Sequence, residues 1–135
     1  MTETDKIKAL VAYRIEQAND ALKAAGTLID TNLFRDAISR AYYAIFYASL
    51  ALLATRRLGA SKHSGTLMLL SREFVKPGIL SKEMARLARR AFERRLEADY
   101  AELVIFTREE AENALAEARI FVQEINAILP EVLPD

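Results

Sequence analysis

A chain of 135 residues and 15.2 kDa supports one hydrophobic core that removes roughly two thirds of the unfolded surface from water, so a single domain over 1–135 is expected. With 52% hydrophobic and 28% charged residues, its composition is neither that of a disordered polyampholyte nor that of a membrane protein. Cysteine is absent and His63 is the lone histidine; this removes disulfides, thiolate metal centres, cysteine nucleophiles and any His-rich metal site within one chain, and no cofactor is expected.

The opening MTETDKIKAL mixes acids with lysines and lacks an apolar leader stretch, which predicts no signal peptide and a cytoplasmic location. Ile7, Val11, Ile15, Ala18, Leu22 and Ala25 then recur at three- and four-residue steps. They predict a first helix over 3–25, opened by a Thr2/Asp5 capping box and stopped by Gly26. A second helix is expected over about 33–58, capped by Thr31 or Asn32 and closed by Gly59. It is apolar on nearly every side and suits the centre of a bundle. Its longest uncharged run, 41–55, has 15 residues, short of the roughly 20 of a membrane span. A shorter third helix over about 64–75 ends at Pro77 and Gly78, and a fourth runs from Ser81 to about Leu96 on Met84, Leu87, Ala88, Ala91 and Phe92. Leu103 to Phe106 reads as a connector. Thr107 to Glu110 is a second capping box, opening a last helix that Pro130 and Pro134 end. Every apolar period is 3.6 and not 2, so the expected fold is all-α, an antiparallel up-and-down bundle of four long helices plus one short helix.

The equal totals of nineteen basic and nineteen acidic residues conceal a segregation. Residues 54–95 carry eleven Lys and Arg against three Glu, a net of +8, and residues 96–135 carry a net of −8. Either the fourth helix pairs its arginines with glutamates of the fifth across a solvated seam, or it presents a basic face to RNA or nucleotide phosphates, to which Arg offers bidentate donors. The sequence leaves both open.

SRAYYAIFYASLALL at 39–53, KHSGTLMLL at 62–70 and RRLEADY at 94–100 together resemble, in order and spacing, the small stand-alone prokaryotic branch of the HEPN family. The resemblance spans about residues 5–128. It implies a helical bundle, usually a homodimer, encoded beside a minimal nucleotidyltransferase as a toxin and antitoxin pair. Many members are metal-independent endoribonucleases whose motif is Arg, four to six residues, then His, frequently with Tyr two residues on. Here the corresponding positions are Arg94, Asp99 and Tyr100.

RNA cleavage by attack of the 2′-hydroxyl needs a base, an acid and a cation for the phosphorane charge. Arg94 or Arg95 supplies a cation, but an aspartate, ordinarily ionised at neutral pH, adds negative charge beside a developing dianion. Arg57 and Arg56 lead to His63 across five and six residues and form an alternative match. Lys62 and His63, with Arg57, would also suit a phosphate at a helix N-terminus. Tyr42, Tyr43 and Tyr47 are either packing residues or, with Arg40, the lining of a cleft. Arg40 is expected to pair with Asp99, as a clasp between the second and fourth helices. The expected function is a nucleotide- and RNA-phosphate-binding interaction module, catalytically weak or inactive; the alternative is an endoribonuclease toxin using Arg94 and Tyr100, or His63. The binding residues expected are Arg40, Arg57, Lys62, His63 and Arg95. A homodimer is expected too, because a helix apolar around its whole circumference needs more cover than a small bundle gives.

Overall fold

The computed structural model describes residues 1–59 and 63–135. Among these the regular structure is all helical: α1 (Glu3–Asp30), α2 (Phe34–Ala54), α3 (His63–Leu70) running into a wider π-helical turn (Ser71–Val75), α4 (Lys82–Tyr100) and α5 (Arg108–Val132). This is the expected all-α bundle. α1 lies along α2, and α5 and α4 cover its remaining flanks. From Ala37 to Ala54 no residue of α2 is exposed, so the three neighbouring helices already cover it within one chain. The argument for a second copy from an uncovered α2 therefore falls. By length and composition alone α2 would also pass for a membrane span, so the uncharged-run argument is too strict; its burial is what marks it as a core helix.

At α1, α4 and α5 the helix starts are where the sequence placed them. Thr2 Oγ accepts from the Asp5 amide, and the Asp5 carboxylate accepts from the Thr2 amide, a reciprocal box that holds the Asp5 carboxyl below its usual value. Ser81 caps α4 through the Met84 amide, and Thr107 caps α5 through the Glu110 amide, each at 3.2 Å.

Helix ends differ from expectation, for one recurring reason. Gly26 does not stop α1, which continues to Asp30, because Ile29 is buried one turn beyond it. The stop is Asn32, at φ 62°, whose amide bonds to Ile29 O while the Leu33 amide bonds to Leu28 O. These are the paired bonds of a Schellman cap. Asn32 thus ends α1 and does not cap α2, whose N-cap is Leu33 without a side-chain bond. The same cap recurs at the other end of α2, where Arg57 takes φ 58° and the Arg57 and Leu58 amides bond to Ala54 O and Leu53 O. The helix therefore ends four residues short of Leu58. Pro130 does not end α5 either. It lies inside the last turn, where the lost amide bond is tolerated because Ile128 and Leu129 are buried and hold the turn down.

Arginines fasten the connections. Arg35 donates to Ala98 O and Val104 O and lies over the Phe106 ring, tying the C-terminal end of α4 and the connector to the first turn of α2. Arg56 donates to Glu73 O at 2.7 Å and covers the fully buried Phe74.

Candidate functional site

The site forms where α2, the N-terminus of α3 and the second half of α4 meet. α2 supplies Ser39 and Arg40, with Tyr43 four and three residues on from them and Phe46 three further, so that all four border one side of the helix. From α3, the His63 ring packs 4.3 Å from Phe46 and 5.4 Å from Tyr42 between ring centres. On α4, the Arg95 guanidinium lies 5.6 Å from both the Tyr42 and the Tyr43 rings and donates to the Tyr43 hydroxyl at 3.3 Å. Arg40 approaches the same Tyr43 ring to 5.2 Å. Two guanidinium groups thus converge on one tyrosine, and aromatic faces offset part of the cost of bringing like charges together.

Arg95 Nε lies 2.8 Å from Asp99 Oδ2, and Ser39 Oγ donates to Asp99 Oδ1 at 3.4 Å. The expected Arg40–Asp99 clasp is therefore made by other residues. Asp99 serves Arg95 and Ser39, while Arg40 has no ion pair among the described residues. Its Nε is buried without a hydrogen bond, and so are His63 Nδ1 and Arg95 Nε, the last of which has the Asp99 carboxylate as an ion-pair partner. A buried polar atom left unsatisfied costs about 1–3 kcal/mol, which makes Arg40 Nε and His63 Nδ1 the places where a ligand oxygen or hydroxyl gains most. Burial, with the positive charge of Arg95 adding to it, holds the His63 imidazole below its usual pKa; it is neutral at pH 7 and able to accept a proton. Burial likewise pushes the Tyr42 hydroxyl well above the usual tyrosine range, so it stays protonated.

The remaining expected residues lie elsewhere. Arg94 faces α5 and makes a bidentate pair with Glu117 at 3.1 and 3.3 Å, reinforced by Arg90 at 3.6 Å. Tyr100 is 71% exposed at the end of α4. Arg57 sits beside Glu3 of α1 at 3.7 Å, and Lys62 lies outside the described residues. The structure thus brings Arg40, His63, Arg95 and Asp99 together and leaves Arg94, Tyr100 and Arg57 apart. Ser39, Phe46 and Phe92 were not singled out from sequence. Phe92 reaches the cluster through Tyr42 at 6.0 Å, and its three-residue step to Arg95 was the available signal. Among the described residues no group of three or more His, Asp or Glu is placed to hold a metal ion.

Comparison with known proteins agrees with the residue pattern. The profile described as "HEPN domain" matches residues 11–128. The protein printed as "Putative toxin MJ0605" of Methanocaldococcus jannaschii is 39% identical over 96% of this chain and 92% of its own length. A "UPF0332 protein" of Thermotoga maritima is 36% identical over 98% of both chains. A second Methanocaldococcus jannaschii protein, printed as "Putative toxin MJ0142", is 35% identical over 85% of this chain and 78% of its own.

Proposed function

The chain belongs to the HEPN domain family, and from that premise we propose that it is a nucleotide- and RNA-phosphate-binding module whose binding centre is the Arg40, His63 and Arg95 cleft. The observation that carries this reading is the pair of buried, unpartnered nitrogens, Arg40 Nε and His63 Nδ1, beside two arginines over Tyr43. A phosphate oxygen accepting from Arg40 satisfies the first, and the aromatic faces offer a base a stacking surface. The toxin names of two relatives support a place in a toxin and antitoxin pair; a minimal nucleotidyltransferase as partner, a homodimer and a cytoplasmic location complete the proposal on the family resemblance alone.

Catalysis is weak or absent in this reading. Asp99 stands where the family motif has histidine, and it is engaged by Arg95 and Ser39. One observation favours the alternative, a metal-independent endoribonuclease: His63 is held neutral next to Arg95, the pairing a general base and a phosphorane-stabilising cation require. Anisotropy of a labelled single-stranded oligoribonucleotide, with wild type and Arg40→Ala, tests the binding reading. Metal-free cleavage assays on wild type, Arg94→Ala, Tyr100→Phe and His63→Ala test the alternative. Robust cleavage abolished by His63→Ala would make the protein an enzyme, and an absence of RNA binding by wild type would remove the proposal.

A further inference from the structure

Beside the cleft runs a groove of about 580 Å³ between α3, its π-helical turn and α4. Its walls carry three cations, Arg72, Lys76 and Arg89, with the Ser64 and Ser71 hydroxyls among them and Met68 and Phe92 on its floor. Met68 is 62% exposed, and with Leu67 and Phe92 it gives the groove an apolar surface between the cations. Charges do not cancel here. Lys76 and Arg89 have no ion pair among the described residues, Arg72 is only loosely paired with Glu73 at 3.9 Å, and Glu93 is the one acid in the lining.

Two of the cations, Arg72 and Lys76, come from the π turn and its end, and Arg89 faces them from α4. The Lys76 amide bonds to Ser71 O at 2.9 Å, an i to i−5 bond, and this wider winding stacks Lys76 over Ser71. Lys76 also stands four residues on from Arg72, so both cations are presented to the groove.

Across the groove, Phe92 lies about 60° around α4 from Arg89 and Arg95 about 60° beyond Phe92, so the α4 surface turns from the groove toward the Arg40 and Arg95 cleft with Phe92 between them. Phe92 joins the two directly, lining the groove and touching Tyr42 of the cleft. An extended polyanion with planar bases fits this track. Its phosphates would meet Arg72, Lys76 and Arg89, and a base would lie on the Met68 and Phe92 surface.

We infer that this groove is a second binding segment for single-stranded RNA, continuous with the cleft, so that the protein holds several consecutive nucleotides and not a single nucleotide phosphate. The inference rests on the RNA-binding reading above and specifies the ligand's extent. The test uses a labelled twelve-nucleotide single-stranded RNA and, separately, AMP, titrated into the full chain at several salt concentrations. The triple variant Arg72→Ala/Lys76→Ala/Arg89→Ala is expected to bind the oligonucleotide at least tenfold more weakly. The slope of log affinity against log salt should also drop by about 2, since each lost contact to single-stranded RNA removes about 0.7. AMP binding should change less than twofold. Because all three side chains are exposed, the variant should keep its helicity by circular dichroism. A second pair, Met68→Ala and Met68→Phe, should weaken and retain oligonucleotide binding respectively. Oligonucleotide binding and salt slope unchanged in the triple variant, while Arg40→Ala loses binding, would overturn the groove and keep the cleft. Failure of wild type to bind the oligonucleotide would overturn both.

Discussion

The two flanks of α4 use the same residue type for opposite ends. Arg94 and Arg95 are neighbours in sequence, about 100° apart around the helix. Toward α5, Arg94 and Arg90 close on Glu117 in a seam that is a third or less exposed at Arg94 and Glu117. Toward α2, Arg95 joins an unpaired Arg40 over tyrosine rings, with Asp99 as the one neutralising carboxylate. The seam is a satisfied electrostatic contact, and the cleft keeps a positive excess and three buried nitrogens without a hydrogen bond, of which Arg95 Nε has Asp99 as an ion-pair partner. Net charge along a segment therefore says little about local charge. Which flank a residue occupies decides whether its cation is spent on folding or left for a ligand.

The sharpest way to break this comparison is to truncate each arginine in turn and measure oligoribonucleotide binding by anisotropy. Arg95→Ala should weaken it at least tenfold, about 1.4 kcal/mol or more, and Arg94→Ala by less than twofold; equal losses would erase the distinction between the flanks. The reverse ordering applies to stability. Arg94→Met and Glu117→Gln, measured by urea denaturation as a double-mutant cycle, should show a coupling of about 1 kcal/mol that declines as salt rises. A coupling indistinguishable from zero would mean that the seam is solvated and that α4 is held by its apolar stripe alone.

A smaller effect is expected at Gly26, where α1 passes α5 outside both flanks. A Cβ there would meet Leu115 Cδ2 at 3.9 Å and Arg119 Nη2 at 4.0 Å, ordinary contact. Gly26→Ala should therefore stabilise the protein by roughly 0.5–1 kcal/mol, seen as a shift in the denaturation midpoint without a change in slope. Destabilisation would mean that α5 packs more tightly on α1 than these distances allow.

The fold was legible because 3.6-residue periodicity and the Thr2, Ser81 and Thr107 caps are local signals. Helix ends were less so. Gly26, Gly59 and Pro130 are breakers by propensity, but burial of Ile29, Ile128 and Leu129 and the left-handed Asn32 and Arg57 decided where α1, α2 and α5 stop. At the candidate site, the sequence named Arg40, His63, Arg95 and Asp99, which the structure brings together, and Arg94, Tyr100 and Arg57, which it leaves apart. The Arg94 to Asp99 motif spacing is i to i+5, about 140° around a helix, whereas the i to i+4 step from Arg95 brings the carboxylate to 2.8 Å. The contact of His63 with Phe46 and Tyr42 could not be read from the chain, since it depends on how the segment after α2 returns to it.

The smallest effect in free energy, and the most direct probe of the cleft's field, is the titration of His63. The folded protein holds its imidazole below the ordinary value of 6.5, first through burial and then through Arg95. The native state therefore binds fewer protons than the unfolded chain in the window below about pH 6.5. The contribution is fully present above that pH and is lost as pH falls through the folded pKa. Because it is the lone histidine, its ring resonances can be followed by NMR without assignment of others. Arg95→Ala should move the midpoint upward but leave it below 6.5, since burial remains when the charge is gone. A phosphate-bearing ligand seated beside Arg40 should move it upward as well, by favouring the imidazolium, while Arg94→Ala should leave it in place. A midpoint equally sensitive to Arg94 and Arg95 would show that the two flanks of α4 share one field, and would break the comparison at its most local point.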